Sequence, residues 1–290
     1  MKTRVFFLTL LAMIAFASNS LLCRAALRDT SIDAATFTFV RILSGALALW
    51  LIIIARLLFS PHVTRHMSLA SGNWPSALAL VAYAAAFSFA YNTLAAGTGA
   101  LLLFGAVQAT MVLWGFGKGE RLDSIQIAGL VIALAGLIVL VFPGIHAPPL
   151  VGSALMITAG IAWGVYSLRG KTAGNAVAAT AGNFLRAVPF ALLISVIAFR
   201  SLRVDSLGLT YAMISGAITS GLGYVLWYAA LSGLKATSAA TVQLSVPVIA
   251  ATGGILLLNE PISLRYIVAS SAVLGGIFLV IIERRSTSAP

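Results

Sequence analysis

The chain has 290 residues, of which 60% are hydrophobic and only 9% are charged. A soluble globular domain carries ~25% charged residues, so this composition excludes one and indicates a polytopic membrane protein. The net charge of +11 does not indicate a nucleic-acid-binding protein, because the basic residues stand singly between apolar runs and form no cluster that could follow a phosphate backbone.

Ten apolar segments are each long enough to cross a bilayer as a helix, which takes ~20 residues. They are 5–23, 34–55, 73–91, 97–116, 124–142, 150–168, 176–198, 207–230, 236–258 and 263–282. The linkers between them are short and leave no room for a soluble domain. We therefore expect an all-α membrane protein with ten transmembrane helices, embedded in the lipid bilayer as a monomer.

The first segment shares features with a cleaved signal peptide: a basic start, an apolar run and Ala15–Phe16–Ala17. It also has a counterpart later in the chain, because residues 14–17 (IAFA) parallel residues 161–164 (IAWG). We interpret it as a retained first helix.

Lysine and arginine residues outside the segments divide unequally between the two sides of the membrane. If the chain starts in the cytoplasm, eleven lie inside and five lie outside; the five are Arg24, Arg28, Arg200, Arg203 and Arg265. The positive-inside rule then predicts a multi-pass protein of the bacterial inner membrane with both termini in the cytoplasm.

An internal duplication relates the two halves of the chain. Residues 106–110 (AVQAT) parallel 241–245 (TVQLS), 119–122 (GERL) parallel 259–262 (NEPI), and Ala135–Gly136 parallel Gly275–Gly276. Each repeat has five spans, so the first repeat, residues 1–146, ends on the side of the membrane opposite to its start. The second repeat, residues 147–290, is therefore predicted to be inverted relative to the first. Such inverted repeats enclose a central cavity near the membrane midplane.

In this order of a glutamine-containing helix, a Gly-Glu turn and a glycine-bearing helix, the chain resembles the drug/metabolite transporter superfamily and its ten-helix EamA-type transporters. Residues 91–122 resemble the aromatic amino-acid exporter branch. The first repeat departs from the pattern, because Gln108 to Glu120 is five residues shorter than Gln243 to Glu260 and has no counterpart to Pro247. The resemblance implies amino acids as substrates and a pore lined by spans one, three, four, six, eight and nine.

Aromatic side chains are spaced four apart on spans three and eight. Tyr83, Phe87 and Tyr91 form one stripe, and Ser220, Tyr224 and Tyr228 form another. Polar-tipped aromatics can stack on a substrate and hydrogen-bond its head, so Tyr83, Tyr91 and Tyr224 are candidate substrate-binding residues. Core packing is the alternative for Tyr83 and Tyr224, whereas the span-end residues Tyr91 and Tyr228 favour an interfacial aromatic belt.

Polar groups inside the spans provide further candidates. Asn19 on span one matches the region of Trp163 and Tyr166 on span six, and the resemblance favours a cavity position for Trp163. In lipid the amide of Asn19 must either bond to another helix or face a cavity. Gln108 and Gln243 raise the same choice, and for them hydrogen bonding between helices is favoured.

Two arginines, Arg41 and Arg186, lie inside spans and occupy matching positions, Phe39–Val40–Arg41 and Phe184–Leu185–Arg186. A charge at the bilayer centre costs at least ~3 kcal/mol, so each should face the bundle interior or water. Both arginines are considered for contact with substrate, and Arg186, which lies deeper, is the stronger candidate substrate-binding residue. Arg41 lies near its helix start and could instead reach the outer interface. Alternatively, both pair with helix carbonyl ends. Pro189 and Pro247 permit kinks, either as hinges or as static features.

The acidic residues and histidines all lie in loops or at span ends. The midplane therefore has no group to bind a coupling proton near neutral pH, no metal site and no Ser-His-Asp arrangement. Glu120 and Glu260 are interpreted as capping or gating groups. We expect no enzyme activity, no cofactor and no metal.

The leading hypothesis is an inner-membrane exporter of amino acids, aromatic and other small ones, working by alternating access without ion coupling. The alternative is an exporter of drugs, nucleobases or other metabolites, with proton coupling open.

Overall fold

In a computed structural model of the chain, the structure describes residues 2–59, 71–119, 123–144, 147–170, 175–231, 233–234 and 242–281. Within these ranges the regular structure is entirely helical, without strands. The ten helices are α1 Lys2–Asp29, α2 Ala34–Phe59, α3 Trp74–Tyr91, α4 Ala96–Gly117, α5 Ser124–Val141, α6 Leu150–Gly170, α7 Ala176–Ile197, α8 Ser206–Leu231, α9 Ser245–Leu258 and α10 Leu264–Ile281. Helices α1 to α8 are long and apolar enough to span a membrane, while the described parts of α9 and α10 are shorter.

Large apolar side chains on the outside of the bundle fit a lipid environment. Leu256 is 73% exposed, Ile138 64% and Val196 60%, which would be unfavourable in water but matches hydrocarbon. The prediction of a multi-pass, all-helical membrane protein is confirmed.

Helix starts are set by polar caps that the sequence carries at the right places. The Asn73 side chain accepts from the backbone N–H of Ser76 at the start of α3, and Asn175 accepts from that of Ala178 at the start of α7. Asp123 and Gln126 form a reciprocal capping box on α5. Such caps satisfy N–H groups that would otherwise lack partners at a helix start.

The first helix is longer than predicted. The sequence places Arg24 and Arg28 in a loop after residue 23, whereas the structure keeps both in the last turns of α1. Their guanidinium groups donate to backbone carbonyls of Tyr91 and Leu258, at distances of 2.9 and 2.6 Å. The helix continues because these charges find partners inside the protein instead of needing water.

Five interhelical turns lie together at one end of the bundle, which we call the Asp29 end. Arg28 reaches the turn after α9, the amide of Ser31 donates to the Asp205 carboxylate at 2.9 Å, and Arg265 reaches the turn after α5. The opposite end, where α1 begins, is the Lys2 end.

The main helix contacts follow a regular pattern. Helix α3 packs on α6 and α1 packs on α8; α4 packs on α6 and α1 packs on α9; α2 packs on α7, α4 on α9 and α5 on α10. If each helix is replaced by the one five places earlier or later in the chain, the same set of helix pairs results.

The pairing of α5 and α10 depends on glycines. A Cβ atom on Gly276 would lie 2.5 Å from the carbonyl oxygen of Gly129, so a larger residue would force the helices apart. The other glycine of the repeat-matched pair Gly275–Gly276 differs, because Gly275 has nothing within 4 Å of its Cβ position. Only one glycine of that pair therefore makes the contact.

Candidate functional site

An aromatic cavity lies in the middle of the bundle between α1, α3, α4, α6 and α8. Its lining residues are Phe16, Asn19, Ser20, Tyr83, Phe87, Leu103, Phe104, Trp163, Thr219, Ser220 and Tyr224. The free space is about 20 Å³, room for a water molecule. The chamber is thus contracted, and a larger ligand enters only if the helices move.

Trp163 on α6 is the centre of the aromatic cluster. Its ring lies 4.8 Å from that of Tyr83, 5.1 Å from that of Tyr224 and 5.4 Å from that of Tyr166, centroid to centroid. These are favourable distances for aromatic pairs. The cluster joins helices from both halves of the chain around one chamber.

Asn19 connects three helices across the cavity wall. Its Nδ2 donates to the Tyr83 hydroxyl at 3.3 Å, and its Oδ1 accepts from the hydroxyls of Ser215 at 2.6 Å and Thr219 at 3.2 Å. The two alternatives raised by the sequence both hold, because the amide lines the cavity and also bonds between helices.

Arg41 on α2 is buried beside the cavity, with 2% of its surface exposed. Its Nη2 donates to the Tyr83 hydroxyl at 2.8 Å and its Nε to the Ser220 hydroxyl at 3.3 Å. The guanidinium carbon lies 4.8 Å from the ring centre of Phe87, a cation–π contact. The expectation that Arg41 could reach the interface is wrong, because its side chain turns inward among these groups.

A π-helical segment, Ser215–Leu222, interrupts α8 where the helix meets the cavity. Such segments are rare and often mark functional sites. A Cβ atom on Gly216 would clash with the backbone carbonyl of Arg41, so glycine permits the close approach of α8 to α2. The apolar pattern of this span predicts a regular helix, and the one sequence signal of an interruption is the cluster of small and polar residues at 215–221.

Tyr91 is fully buried and does not belong to an interfacial belt. Its ring lies 4.7 Å from that of Phe87, and its hydroxyl donates to the Ala96 carbonyl oxygen at 3.2 Å. Gly99 on α4 leaves the space that the Tyr91 ring occupies, which explains why the span-end residue turns inward. Tyr228 is half-buried beside Gly170.

Three other candidates stand apart from the cavity lining. Tyr166 is buried behind Trp163, and its hydroxyl has no hydrogen-bond partner within the described chain. Gln108 lines a separate, mostly apolar space between α4, α5 and α10. Gln243 is half-buried just before α9.

Arg186 on α7 also lies away from the cavity. Its Nη1 donates to the carbonyl oxygens of Ser71 at 2.8 Å and Gly182 at 2.9 Å, and its guanidinium carbon lies 5.9 Å from the ring centre of Trp74. Ser71 and Trp74 lie at the start of α3, at the Lys2 end, whereas Gly182 lies on α7 itself. Of the candidate residues, the structure brings Asn19, Tyr83, Trp163 and Tyr224 together around the chamber.

A buried ion pair lies between the cavity and the Asp29 end. The carboxylate of Glu260 accepts from Arg24 Nε at 3.1 Å and from the backbone N–H of Ala96 at 2.8 Å, which caps α4. Arg24 also donates to the carbonyl of Tyr91. On α1, Arg24 is five residues beyond Asn19, roughly 7.5 Å along the helix, so the pair covers this end of the chamber. Glu120, the counterpart of Glu260, lies outside the described residues.

The residues described contain no group of histidine, cysteine and carboxylate side chains that could hold a metal ion. The chemistry of the site is therefore that of its rings, hydroxyls, amide and guanidinium.

Comparison with known proteins identifies the fold and the family. A family model described as the EamA-like transporter family matches residues 150–282. An uncharacterized protein of Pseudomonas aeruginosa is 53% identical over 99% of this chain and 97% of its own length. The chain belongs to the EamA-like transporter family. Its similarity to this relative covers both halves, including the first half that the family model does not match.

More distant relatives of this EamA-like transporter are named as uncharacterized transporters. An uncharacterized transporter of Archaeoglobus fulgidus is 28% identical over 57% of this chain and 60% of its own length. An uncharacterized transporter of Bacillus subtilis is 25% identical over 57% of this chain and 59% of its own length. These relatives and the family match support a general transporter function.

A solved crystal structure shares the fold of this EamA-like transporter over almost its whole length. The TM-score is 0.66 at 16% sequence identity, and the match covers 97% of this chain and 98% of the other. The helix arrangement around the cavity is thus a known one.

Proposed function

We propose that this EamA-like transporter exports amino acids, aromatic and other small ones, from the bacterial cytoplasm across the inner membrane. The observation that carries the proposal is the aromatic chamber, where Trp163 contacts Tyr83 and Tyr224. An aromatic or apolar side chain would stack on these rings, while hydroxyl and amide groups of the same wall take the polar head.

The mechanism we propose is alternating access by two inverted five-helix repeats, residues 1–146 and 147–290. Supporting it, the helix contacts keep the same pattern when the two sets of five are exchanged, and the cavity lies where the sets meet. Rocking of one repeat against the other opens such a chamber to each side in turn. The contracted size of the cavity fits a state between these openings.

The outer gate of this cycle is the contact between Arg24 and Glu260. It joins the first repeat to the second and covers the chamber at the Asp29 end. By the positive-inside rule, the smaller number of basic residues predicted on that side favours an assignment of the Asp29 end to the outside of the cell. Release of substrate then requires this ion pair to separate, so its strength sets how often the outer side opens.

Export is proposed to run downhill without ion coupling. The described cavity lining includes neither a carboxylate nor an imidazole, so no group there changes charge near neutral pH. A substrate could then cross without carrying a proton.

Reconstitution tests the proposal directly. Purified protein in liposomes loaded with labelled L-phenylalanine should release it faster than protein-free liposomes, and unlabelled amino acids should compete. With equal phenylalanine on both sides, an imposed pH gradient should produce no net flux. Net flux under that gradient would overturn uncoupled transport, and release no faster than from protein-free liposomes would overturn amino-acid export.

An exporter of drugs or nucleobases is the second candidate, since the ring cluster around Trp163 would also stack on flat heterocycles. Arg41 disfavours lipophilic cations, because its buried charge repels them. Cells that overproduce the protein should gain resistance to toxic amino-acid analogues and not to lipophilic cations; the reverse result would favour the second candidate.

A further inference from the structure

Arg41 carries a buried charge that has no acidic partner among the residues described. The ion pairs in that part of the chain are Arg24 with Glu260 and Arg28 with Asp29. Arg41 is nevertheless less exposed than any of these, at 2% of its surface. An uncompensated charge in an apolar interior is unfavourable, so its retention calls for a compensating group that comes from elsewhere.

The guanidinium group also has unused hydrogen-bond donors. Nε and Nη2 donate to Ser220 and Tyr83, but buried Nη1 has no hydrogen-bond partner in the described structure. A guanidinium carries five N–H donors in a planar fork that matches a carboxylate. Leaving the Nη1 donors unpaired costs free energy that an incoming acceptor would recover.

Arg41 lies directly behind the chamber wall and is not itself one of the lining residues. Tyr83, Phe87 and Ser220 all contact the Arg41 side chain, and all three line the cavity. The ring of Trp163 contacts that of Tyr83 at an interplanar angle of 46° and extends the aromatic surface of the wall. A cation that can bind an anion therefore lies directly behind a chamber whose rings accept a flat or apolar body.

We propose that Arg41 binds the carboxylate of the transported molecule, and that the substrate class is carboxylates with an aromatic or apolar body. This inference rests on the proposed function and narrows it. The ammonium group of an amino acid is not required for binding, because the described lining contains no carboxylate that could bind it. The amide oxygen of Asn19 already accepts hydrogen bonds from Ser215 and Thr219. Carboxylates without an ammonium group are bound as well as amino acids are.

A series of three ligands tests this on the unaltered protein. Isothermal titration of the detergent-solubilised full chain uses L-phenylalanine, 3-phenylpropionate, which lacks the ammonium, and phenethylamine, which lacks the carboxylate. We expect the first two to bind with similar affinity and phenethylamine to bind at least about tenfold more weakly, because only a carboxylate forms charge-assisted hydrogen bonds with Arg41.

Two substitutions at the same position separate charge from packing. Arg41→Gln should weaken both carboxylate ligands by at least about tenfold, while Arg41→Lys keeps the charge and part of the affinity. The matched control is Arg169→Gln at the Lys2 end, where the arginine donates to Ser76 and Asn73, and it should bind like the unaltered protein. Gel filtration of each variant shows whether it is folded.

The outcomes separate this inference from the proposed function. If phenethylamine binds as tightly as L-phenylalanine, or Arg41→Gln binds both carboxylates normally, the role of Arg41 is overturned and amino-acid export stands. If 3-phenylpropionate binds through Arg41 but L-phenylalanine does not bind, the carboxylate site stands and amino-acid export falls. If none of the three binds, both are overturned.

Discussion

Arg41 and Arg186 occupy the same position in the two halves of the sequence but have opposite surroundings. Arg41 turns inward against the chamber-lining residues Tyr83 and Ser220 and keeps a buried Nη1 without a partner in the described structure, whereas Arg186 reaches back to the carbonyls of Ser71 and Gly182. Matching positions in a duplicated chain therefore do not have to share a role. Only the arginine of the first half contacts residues that line the chamber in the described structure.

The residue four positions earlier explains the difference. Side chains on a helix point toward its start, over the residue at i−4. For Arg41 that residue is Phe37, a large side chain that is fully buried. For Arg186 it is Gly182, whose missing side chain lets the guanidinium reach the backbone. The comparison predicts that Arg41 binds the ligand and that Arg186 stabilises the fold.

The largest expected effect comes from closing the space through which α8 approaches Arg41. Gly216→Ala would place a Cβ against the Arg41 carbonyl and the Ser44 hydroxyl. Overpacking of this kind costs about 1–3 kcal/mol, and it should also shift the chamber wall and abolish measurable phenylalanine efflux. The control is Gly275→Ala, whose Cβ meets nothing within 4 Å. Normal efflux by Gly216→Ala would show that this approach does not shape the site.

Exchanging each arginine for glutamine tests the comparison itself. Arg41→Gln should slow phenylalanine efflux from proteoliposomes at least about tenfold, because the carboxylate loses a charge-assisted partner. Arg186→Gln should leave efflux within about twofold and lower the melting temperature, because carbonyls of Ser71 and Gly182 lose a charged donor. Equal loss of efflux in both variants would remove the distinction between the two positions.

A smaller effect is expected at the outer gate, where the native cysteine is a reporter. Cys23 is fully buried and precedes Arg24 in the chain. Glu260→Gln removes the partner of Arg24, so the Asp29 end should open more often and a membrane-impermeant maleimide should label Cys23 a few-fold faster. Ser263→Ala, in the same turn, is the control. Unchanged labelling by Glu260→Gln would mean that the ion pair is not part of a gate.

The smallest effect concerns the Asp29 end far from the chamber. Burial alone would raise the pKa of the Asp33 carboxyl, but hydrogen bonds from the backbone of Arg203 and from Thr36 and Ala35 outweigh it and lower the pKa below 3.8. A carboxyl whose pKa is lower in the folded than in the unfolded protein stabilises the fold at pH values above the unfolded-state pKa. This stabilisation is lost as the pH falls through the folded-state pKa. The melting temperature should therefore drop below about pH 4.

Asp33→Ala should remove the acid-dependent part of this drop. It also removes the N-cap of α2, where Asp33 accepts from the N–H of Ala35 and Thr36, so at pH 7 the melting temperature should fall by about 2–4 °C. Phenylalanine efflux should remain normal. A variant as stable as the unaltered protein at pH 7 would show that this cap contributes nothing.

The sequence predicts the helices well because bilayer thickness fixes how long an apolar segment must be. It predicts much of the chamber too, since Tyr83 and Tyr224 follow helical spacing and Trp163 follows the family resemblance. It leaves open whether Arg41 turns inward or reaches the interface, and it does not predict the π segment at 215–222, because both depend on how closely α8 approaches α2. The i−4 contrast of Phe37 and Gly182 was a readable signal for the arginines.

The other wrong predictions concern residues at span ends, where hydropathy does not indicate whether a side chain is buried. Tyr91 lies at a helix end, where hydropathy suggests an interface, but the glycine at 99 on the next helix makes room for it inside. Arg24 resembles a loop residue by charge alone, and its partner Glu260 is more than two hundred residues away. Neither contact leaves a periodic trace in the sequence.

The most direct test of the central claim compares two tryptophans. Trp163 is the centre of the chamber, whereas Trp114 on α4 is 52% exposed on the outside of the bundle. Labelled L-phenylalanine should leave liposomes that contain the unaltered protein or Trp114→Ala at the same rate, and should leave those with Trp163→Ala at least about tenfold more slowly, because one large stacking surface is lost. Equal efflux by Trp163→Ala and the unaltered protein would contradict the account.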